Sequence, residues 1–221
     1  MAGTDTVEVV RCADIPWEDR RNVDNWPSRA GMYWDDREHA LCFRLIDYPV
    51  GSVEPRHVHA GSHATTVLKG RAIVDGLTLH PLDVIVGPSN EPHGPLHYVD
   101  GCQLLSVFHG SYFHSEVQQL SQEKQYRLIQ SHGIAWENDA ANGCEAKLLL
   151  DGGVGPLQLR VLRFRPGAET VCRFHAALVV EGGARIGDAE FGVWDFVRVH
   201  GAATECMRFP DGGVLLAASL R

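Results

Sequence analysis

GSVEPRHVHAGSHATTVLKG, residues 51–70, places His57, His59 and His63 within seven positions and then runs into an apolar, β-branched segment. Side chains on a strand alternate between faces, so His57 and His59 project to the same side. Gly61 permits a turn, after which His63 opens the next strand and can face the same interior. A fourth imidazole, His93, follows in GPSNEPHGP (87–95), where prolines and Asn90 shape a tight loop. Four imidazoles converging in a dry interior would leave donors and acceptors half satisfied, at a cost in free energy. A shared metal ion removes that cost.

The flanking sequence has the same period. LCFRLIDY (41–48), TTVLKGRAIV (65–74), LDVIVG (82–87) and CQLLSVF (102–108) are short, largely apolar runs with period-two alternation, broken by Gly, Pro, Asn and Asp. That pattern predicts an all-β chain of antiparallel sheets in a small sandwich or barrel. Sliding the sequence along itself reveals a tandem repeat. LCFRLIDYPVGSVEPRHVH (41–59) aligns without gaps on LQLRVLRFRPGAETVCRFH (157–175), IPWE (15–18) matches IAWE (134–137), and DGCQLL from Asp100 matches DGGVLL from Asp211. The repeat predicts an N-terminal domain over 1–114, a linker or short helix over 115–125 within the polar stretch His114 to Gln125, and a C-terminal domain over 126–221.

Composition excludes several classes of function. A formal net charge of -8 with no Lys/Arg cluster argues against a nucleic-acid partner and leaves a small molecule as the expected one. No apolar run approaches the roughly 20 residues that span a bilayer. The six cysteines are scattered, without a CxxC pair, and MAGTDTVEVV carries no secretory signal, so reduced thiols and a cytoplasmic location are expected.

These residues resemble the cupin superfamily. Its first motif, Gly, five residues, His-x-His, three or four residues, Glu, six residues, Gly, is met by Gly51, His57, His59, His63 and Gly70, with His63 where most cupins carry a metal-binding Glu. The second motif is met by Pro88 and His93, with Leu82 and Asn90 in place of its usual glycines and His97 in place of its Asn. The resemblance implies two tandem jelly-roll barrels, a bicupin, whose N-terminal unit is similar to small bacterial four-histidine, manganese-type cupins. One divalent ion (Fe, Mn, Cu, Ni or Zn) is then expected at His57, His59, His63 and His93, imidazole being a suitable ligand for each. Edge-to-edge dimers are frequent in the family, so a homodimer is expected as well.

In the second repeat the four ligand positions hold Arg173, His175, Val179 and Glu205, which cannot reproduce the set. That unit is expected to be degenerate, with Arg173 and Glu205 forming a buried pair beside His175 where a metal once sat.

Four neutral imidazoles leave the ion its full double charge, which favours an anionic, enolisable or phenolic substrate. Two enzymatic readings follow: oxygen-dependent dioxygenase or oxidase chemistry, or Lewis-acid chemistry of the isomerase, lyase or polyketide-cyclase type. His97, Tyr98 and Glu54 are the candidates for proton transfer. A third reading, a non-catalytic metal or ligand sensor, lacks a partner-binding segment beyond the first residues and the linker. Trp17, Tyr33, Trp34 and Tyr48 are core residues or, for a flat substrate, pocket residues.

Overall fold

The computed structural model describes residues 6–117, 125–201, 203 and 205–221. Nearly all of its regular structure is antiparallel β, as the alternation predicts. The α-helix among the described residues, Arg20–Asp24, is a single turn capped by the Asp19 carboxylate on the Arg21 N–H, and no helix is long and apolar enough to cross a membrane.

Two units separate by their contacts. One comprises the described residues of Pro16–Gly133 together with Gly153–Gly155; the other comprises those of Met1–Ile15, Ile134–Gly152 and Pro156–Arg221. The first is built on a seven-stranded sheet in the order Arg127–Ile129, Val84–Gly87, Ser62–Gly70, Cys102–His109, Leu41–Tyr48, Arg29–Asp36, Trp17–Asp19. A four-stranded sheet, Ser52–Glu54, Leu96–Tyr98, Ala72–Val74 and Leu77–Leu79, covers one face of it. Val67, Ile85 and Leu104 from the larger sheet pack on Ala72, Leu79 and Leu96 from the smaller. Gly70 ends the long strand with φ +78°, and a Cβ there would sit 2.1 Å from the Gly101 carbonyl oxygen. Only glycine fits.

The second unit repeats this order strand for strand: Thr6–Val10, Phe196–His200, Ala176–Ile186, Gly213–Leu220, Leu157–Phe164, Cys144–Asp151, Glu137–Asp139. The sequence repeat is therefore a repeat of topology. The outermost strands are exchanged, however. Thr6–Val10 precedes the first IPWE copy yet pairs with Phe196–His200, while Arg127–Ile129 precedes the second copy yet pairs with Val84–Gly87. Boundaries drawn at 114 and 126 place both strands in the other unit, because the sequence of a strand does not encode its partner.

Two further expectations change. Among the described residues the ladders do not close: each seven-strand path ends on edge strands, so open sheets stand where closed barrels were expected. The linker stretch begins as a strand, His114–Glu116, paired with His57–His59, while residues 118–124 lie outside the described residues.

Candidate metal centre

Backbone pairing brings the histidines together. His57 and His93 exchange both main-chain hydrogen bonds, N–H to O at 3.0 and 2.9 Å, which puts their side chains on one face with ring centroids 4.2 Å apart. The Asn90 N–H donates to the His59 carbonyl at 2.8 Å and ties the 88–93 loop to the same strand. Leu82 and Asn90 hold φ +73° and +60°, so the left-handed turns that the motif normally gives to glycine persist without it.

All four motif histidines are buried. The His57 Nδ1–H donates to the Pro55 carbonyl at 2.8 Å and the His93 Nδ1–H to the Glu91 carbonyl at 3.3 Å, which leaves both Nε2 atoms as bare lone pairs. His57 Nε2 lies 3.0 Å from His59 Nε2. One ligand nitrogen from each of His57, His59 and His93 falls within 4.8 Å of the others. The 3.0 Å approach is the separation that two adjacent ligands have at about 90° around an ion with bonds of about 2.1 Å.

His63 stands beside this trio without joining it. Its ring centroid is 4.7 Å from that of His59 and 4.9 Å from that of His93, its Nδ1 meets Thr65 Oγ1 at 3.2 Å, and its Nε2 occupies the space a Cβ on Gly87 would fill. His63 Nε2 and His59 Nδ1 are buried with no hydrogen-bond partner among the described residues. Burial, and then the neighbouring imidazoles, hold His59 and His63 well below the ordinary histidine range. Burial brings His57 and His93 down to about 4. The cluster is neutral at physiological pH, the state in which imidazole ligates metal. Bare lone pairs at ligand spacing and orphaned buried nitrogens fit a divalent cation.

Of the proton-transfer candidates, Glu54 and Tyr98 reach the cluster. Glu54 Oε1 is 3.5 Å from His57 Nε2, and the Tyr98 hydroxyl donates to Glu54 Oε2 at 2.5 Å. Burial, with the Glu54 carboxylate next, raises the Tyr48 and Tyr98 phenols well above their ordinary value. His97 is exposed: Leu96 and Tyr98 face the core, so alternation turns the residue between them to solvent. An outward side chain does not suit proton transfer inside the cavity. Tyr48 lines the cavity and accepts from Trp26 Nε1 at 3.1 Å, whereas Trp17, Tyr33 and Trp34 stand outside it.

The cavity also holds residues that the sequence reading did not single out as ligand-binding. Arg20 and Arg44, each 7% exposed, line it, as does His114, whose ring lies 4.0 Å from that of Trp26. Arg44 was detectable: it shares parity with Ile46 and Tyr48 on one strand. His114 was not, because its position depends on pairing with His59. The free space is small, about 40 Å³, room for roughly three waters.

The second unit carries no comparable site among its described residues. Its parity is inverted. In the first unit His57 and His59 are buried with Val58 between them half-buried; in the second Arg173 is exposed, Phe174 is buried and His175 is half-buried. Cys172, Phe174 and Val179 belong to an apolar core. The expected Arg173–Glu205 pair does not form: Arg173 Nη1 donates to the Ala141 carbonyl at 3.4 Å, and Glu205 meets this segment through its backbone oxygen, which accepts from the Cys172 N–H at 3.1 Å.

No protein-family model and no curated protein matches the sequence. Solved structures do match in fold. A candidate dioxygenase from Nostoc punctiforme superposes with a TM-score of 0.80 at 12% identity, covering 98% of this chain and 83% of its own. An oxalate decarboxylase from Lactobacillus farciminis, solved as a formate complex, gives 0.67 at 14% identity, covering 98% and 86%. A single-site variant of the Bacillus subtilis oxalate decarboxylase gives 0.69 at 13%, covering 100% and 78%. The fold is that of these three proteins, and at such identities the likeness speaks for fold alone.

Proposed function

We propose that the N-terminal unit holds one divalent ion at His57, His59, His63 and His93, and that the protein is a metal-dependent oxidoreductase acting with dioxygen on a small, anionic, enolisable acid. The observation that carries the reading is the 3.0 Å approach of His57 Nε2, a bare lone pair, to His59 Nε2 inside a buried neutral cluster whose His59 Nδ1 and His63 Nε2 have no hydrogen-bond partner among the described residues. A redox-active ion would supply electron transfer and stabilise developing negative charge on the substrate. The chain's own contribution is a cramped cavity, a carboxylate at Glu54 beside the cluster to accept a proton, and cationic walls. About 40 Å³ favours an aliphatic acid over a phenol. The dioxygenase and decarboxylase names of the fold neighbours support an enzyme without choosing its reaction.

The Glu54–Tyr98 hydrogen bond favours a second reading, in which the same ion acts only as a Lewis acid and Glu54 moves a proton, giving an isomerase or lyase. Elemental analysis of the purified protein, paired with aerobic and anaerobic absorbance spectra in the presence of small 2-oxo and dicarboxylic acids, separates the two. Stoichiometric iron, manganese or copper with oxygen-dependent change supports oxidation; zinc with no oxygen sensitivity supports the second reading. Full metal occupancy in a His57→Ala, His93→Ala double variant overturns both.

A further inference from the structure

Arg44 occupies an inward position of the central strand Leu41–Tyr48 and is 7% exposed. Its Nε is buried without a hydrogen-bond partner, and among the described residues no carboxylate pairs with its guanidinium. The group lies against the Tyr112 ring, 4.5 Å from the centroid, and its burial and the nearby Arg20 charge both lower its affinity for its proton. An uncompensated buried cation is strongly destabilising, so its presence on a cavity wall calls for an anion.

The repeat identifies which anion is missing. The alignment of 41–59 on 157–175 places Arg160 at the position of Arg44, and continuing IPWEDR along IAWEND places Asp139 at the position of Arg20. In the C-terminal unit these residues form an ion pair, Arg160 Nη1 to Asp139 Oδ2 at 3.4 Å. In the N-terminal unit the same two places hold two arginines lining one cavity with the histidine cluster. Arg20 is engaged by Glu18 at 3.4 Å and by Asp24, but its Nε is buried and unpartnered. Arg44 keeps an unmatched charge.

We propose that Arg20 and Arg44 form the carboxylate-binding end of the substrate site: a carboxylate of a small organic acid takes the place that the Asp139 side chain fills in the other unit. The planar guanidinium fork of Arg44 suits a carboxylate better than a spherical anion. The inference rests on this cavity being the reaction site, and it names the substrate as a small carboxylic acid anchored by one end while the other faces His57, His59 and His93.

The test uses chelator-treated full-length protein, so that anion binding is read without metal. Acetate, oxalate, phosphate and chloride are titrated at matched ionic strength, and the melting temperature is followed. Saturable stabilisation by acetate and oxalate, at least tenfold tighter than by chloride or phosphate, is expected for the wild type. Arg44→Met should lose it and, having shed an unpaired buried charge, should melt no lower than the wild type without anion. Arg20→Asp should recreate the ion pair of the other unit and abolish the carboxylate response; it also serves if Arg44→Met fails to fold. No saturable carboxylate effect in the wild type, or an equal effect in Arg44→Met, overturns the proposal. A wild type that binds carboxylate but never acquires metal leaves the proposal standing and removes the metal reading instead.

Discussion

The Tyr98 hydroxyl donates a 2.5 Å hydrogen bond to Glu54 Oε2 while the other oxygen of that carboxylate lies 3.5 Å from His57 Nε2. The phenol thus aims the carboxylate at the cluster. Tyr98→Phe removes the donor and leaves a buried acceptor short of a partner, a loss of about 1–3 kcal/mol. Chemical denaturation should show that loss, and Tyr98→Phe combined with Glu54→Gln should cost less than the sum of the two single changes, because they share one interaction. Strict additivity would mean the two groups do not act together. Metal content should stay stoichiometric in Glu54→Gln, since Glu54 is assigned to proton transfer and not to ligation.

Gly87 gives a steric handle on His63. A Cβ at position 87 would sit 2.2 Å from His63 Nε2, and the imidazole, packed between His59, His93 and Phe108, has little room to retreat. Gly87→Ala should therefore displace the ring and weaken metal binding by at least tenfold, measured by competition with a chromophoric chelator. His63→Ala should do the same. If Gly87→Ala binds metal as the wild type does while His57→Ala does not, His63 is not a ligand and the ion is held by the other three histidines.

Burial makes the metal-free cluster acid-sensitive in a defined direction. His57 and His93 are held at about 4 in the folded protein against roughly 6.5 in an unfolded chain. Between those values the unfolded state binds more protons than the folded one, so the contribution of these two positions to stability falls as the pH drops from about 6.5 to 4 and levels off below, while His59 and His63, also held low, add to the same slope. Above 6.5 both states are neutral at these positions and contribute no slope. Melting temperatures of chelator-treated protein from pH 4 to 8 should show this, and His93→Gln should flatten the acid limb. An unchanged limb would locate the sensitivity elsewhere.

Much of this architecture is legible in the sequence because a half-buried strand writes its orientation every second residue. His57 and His59 could be placed on one face from HVH alone, and the repeat of 41–59 in 157–175 announced two units with one topology. The same rule, applied to LHY at 96–98, already turns His97 outward once Leu96 and Tyr98 are taken as core, and applied to LCFRLIDY it puts Arg44 inside with Ile46 and Tyr48. Both directions follow from alternation alone. The exchange of Thr6–Val10 and Arg127–Ile129 was not readable, since any alternating strand fits any open edge of matching polarity. His114 and Trp26 belong to the same class: long-range pairing and packing place them, and local sequence carries no trace of it. Alignment does not carry side-chain direction either: the spacing between Leu157 and His175 equals that between Leu41 and His59, yet the burial alternation at its end is inverted.

That inversion of direction yields a quantitative contrast. Arg173 and His175 align with His57 and His59, yet it is Phe174, between them, that is buried, packed in the core with Cys172, Val179 and Leu215. An alternation shifted by one residue swaps the two faces of the segment entirely, so the position that would have carried a ligand now points to solvent and the spacer fills the interior. Phe174→Ala should open a cavity in this core and cost about 3–5 kcal/mol. Arg173→Ala, at an exposed side chain whose hydrogen bond is a 3.4 Å contact to the Ala141 carbonyl, should change stability by no more than about 0.5 kcal/mol. Neither should alter the metal bound per chain, because the four histidines lie in the other unit. Denaturation curves with elemental analysis decide it: a large loss from Arg173→Ala would restore the buried ion pair that the structure does not contain, and metal lost from Phe174→Ala without global unfolding would show that the apolar core of the C-terminal unit is not independent of the metal centre.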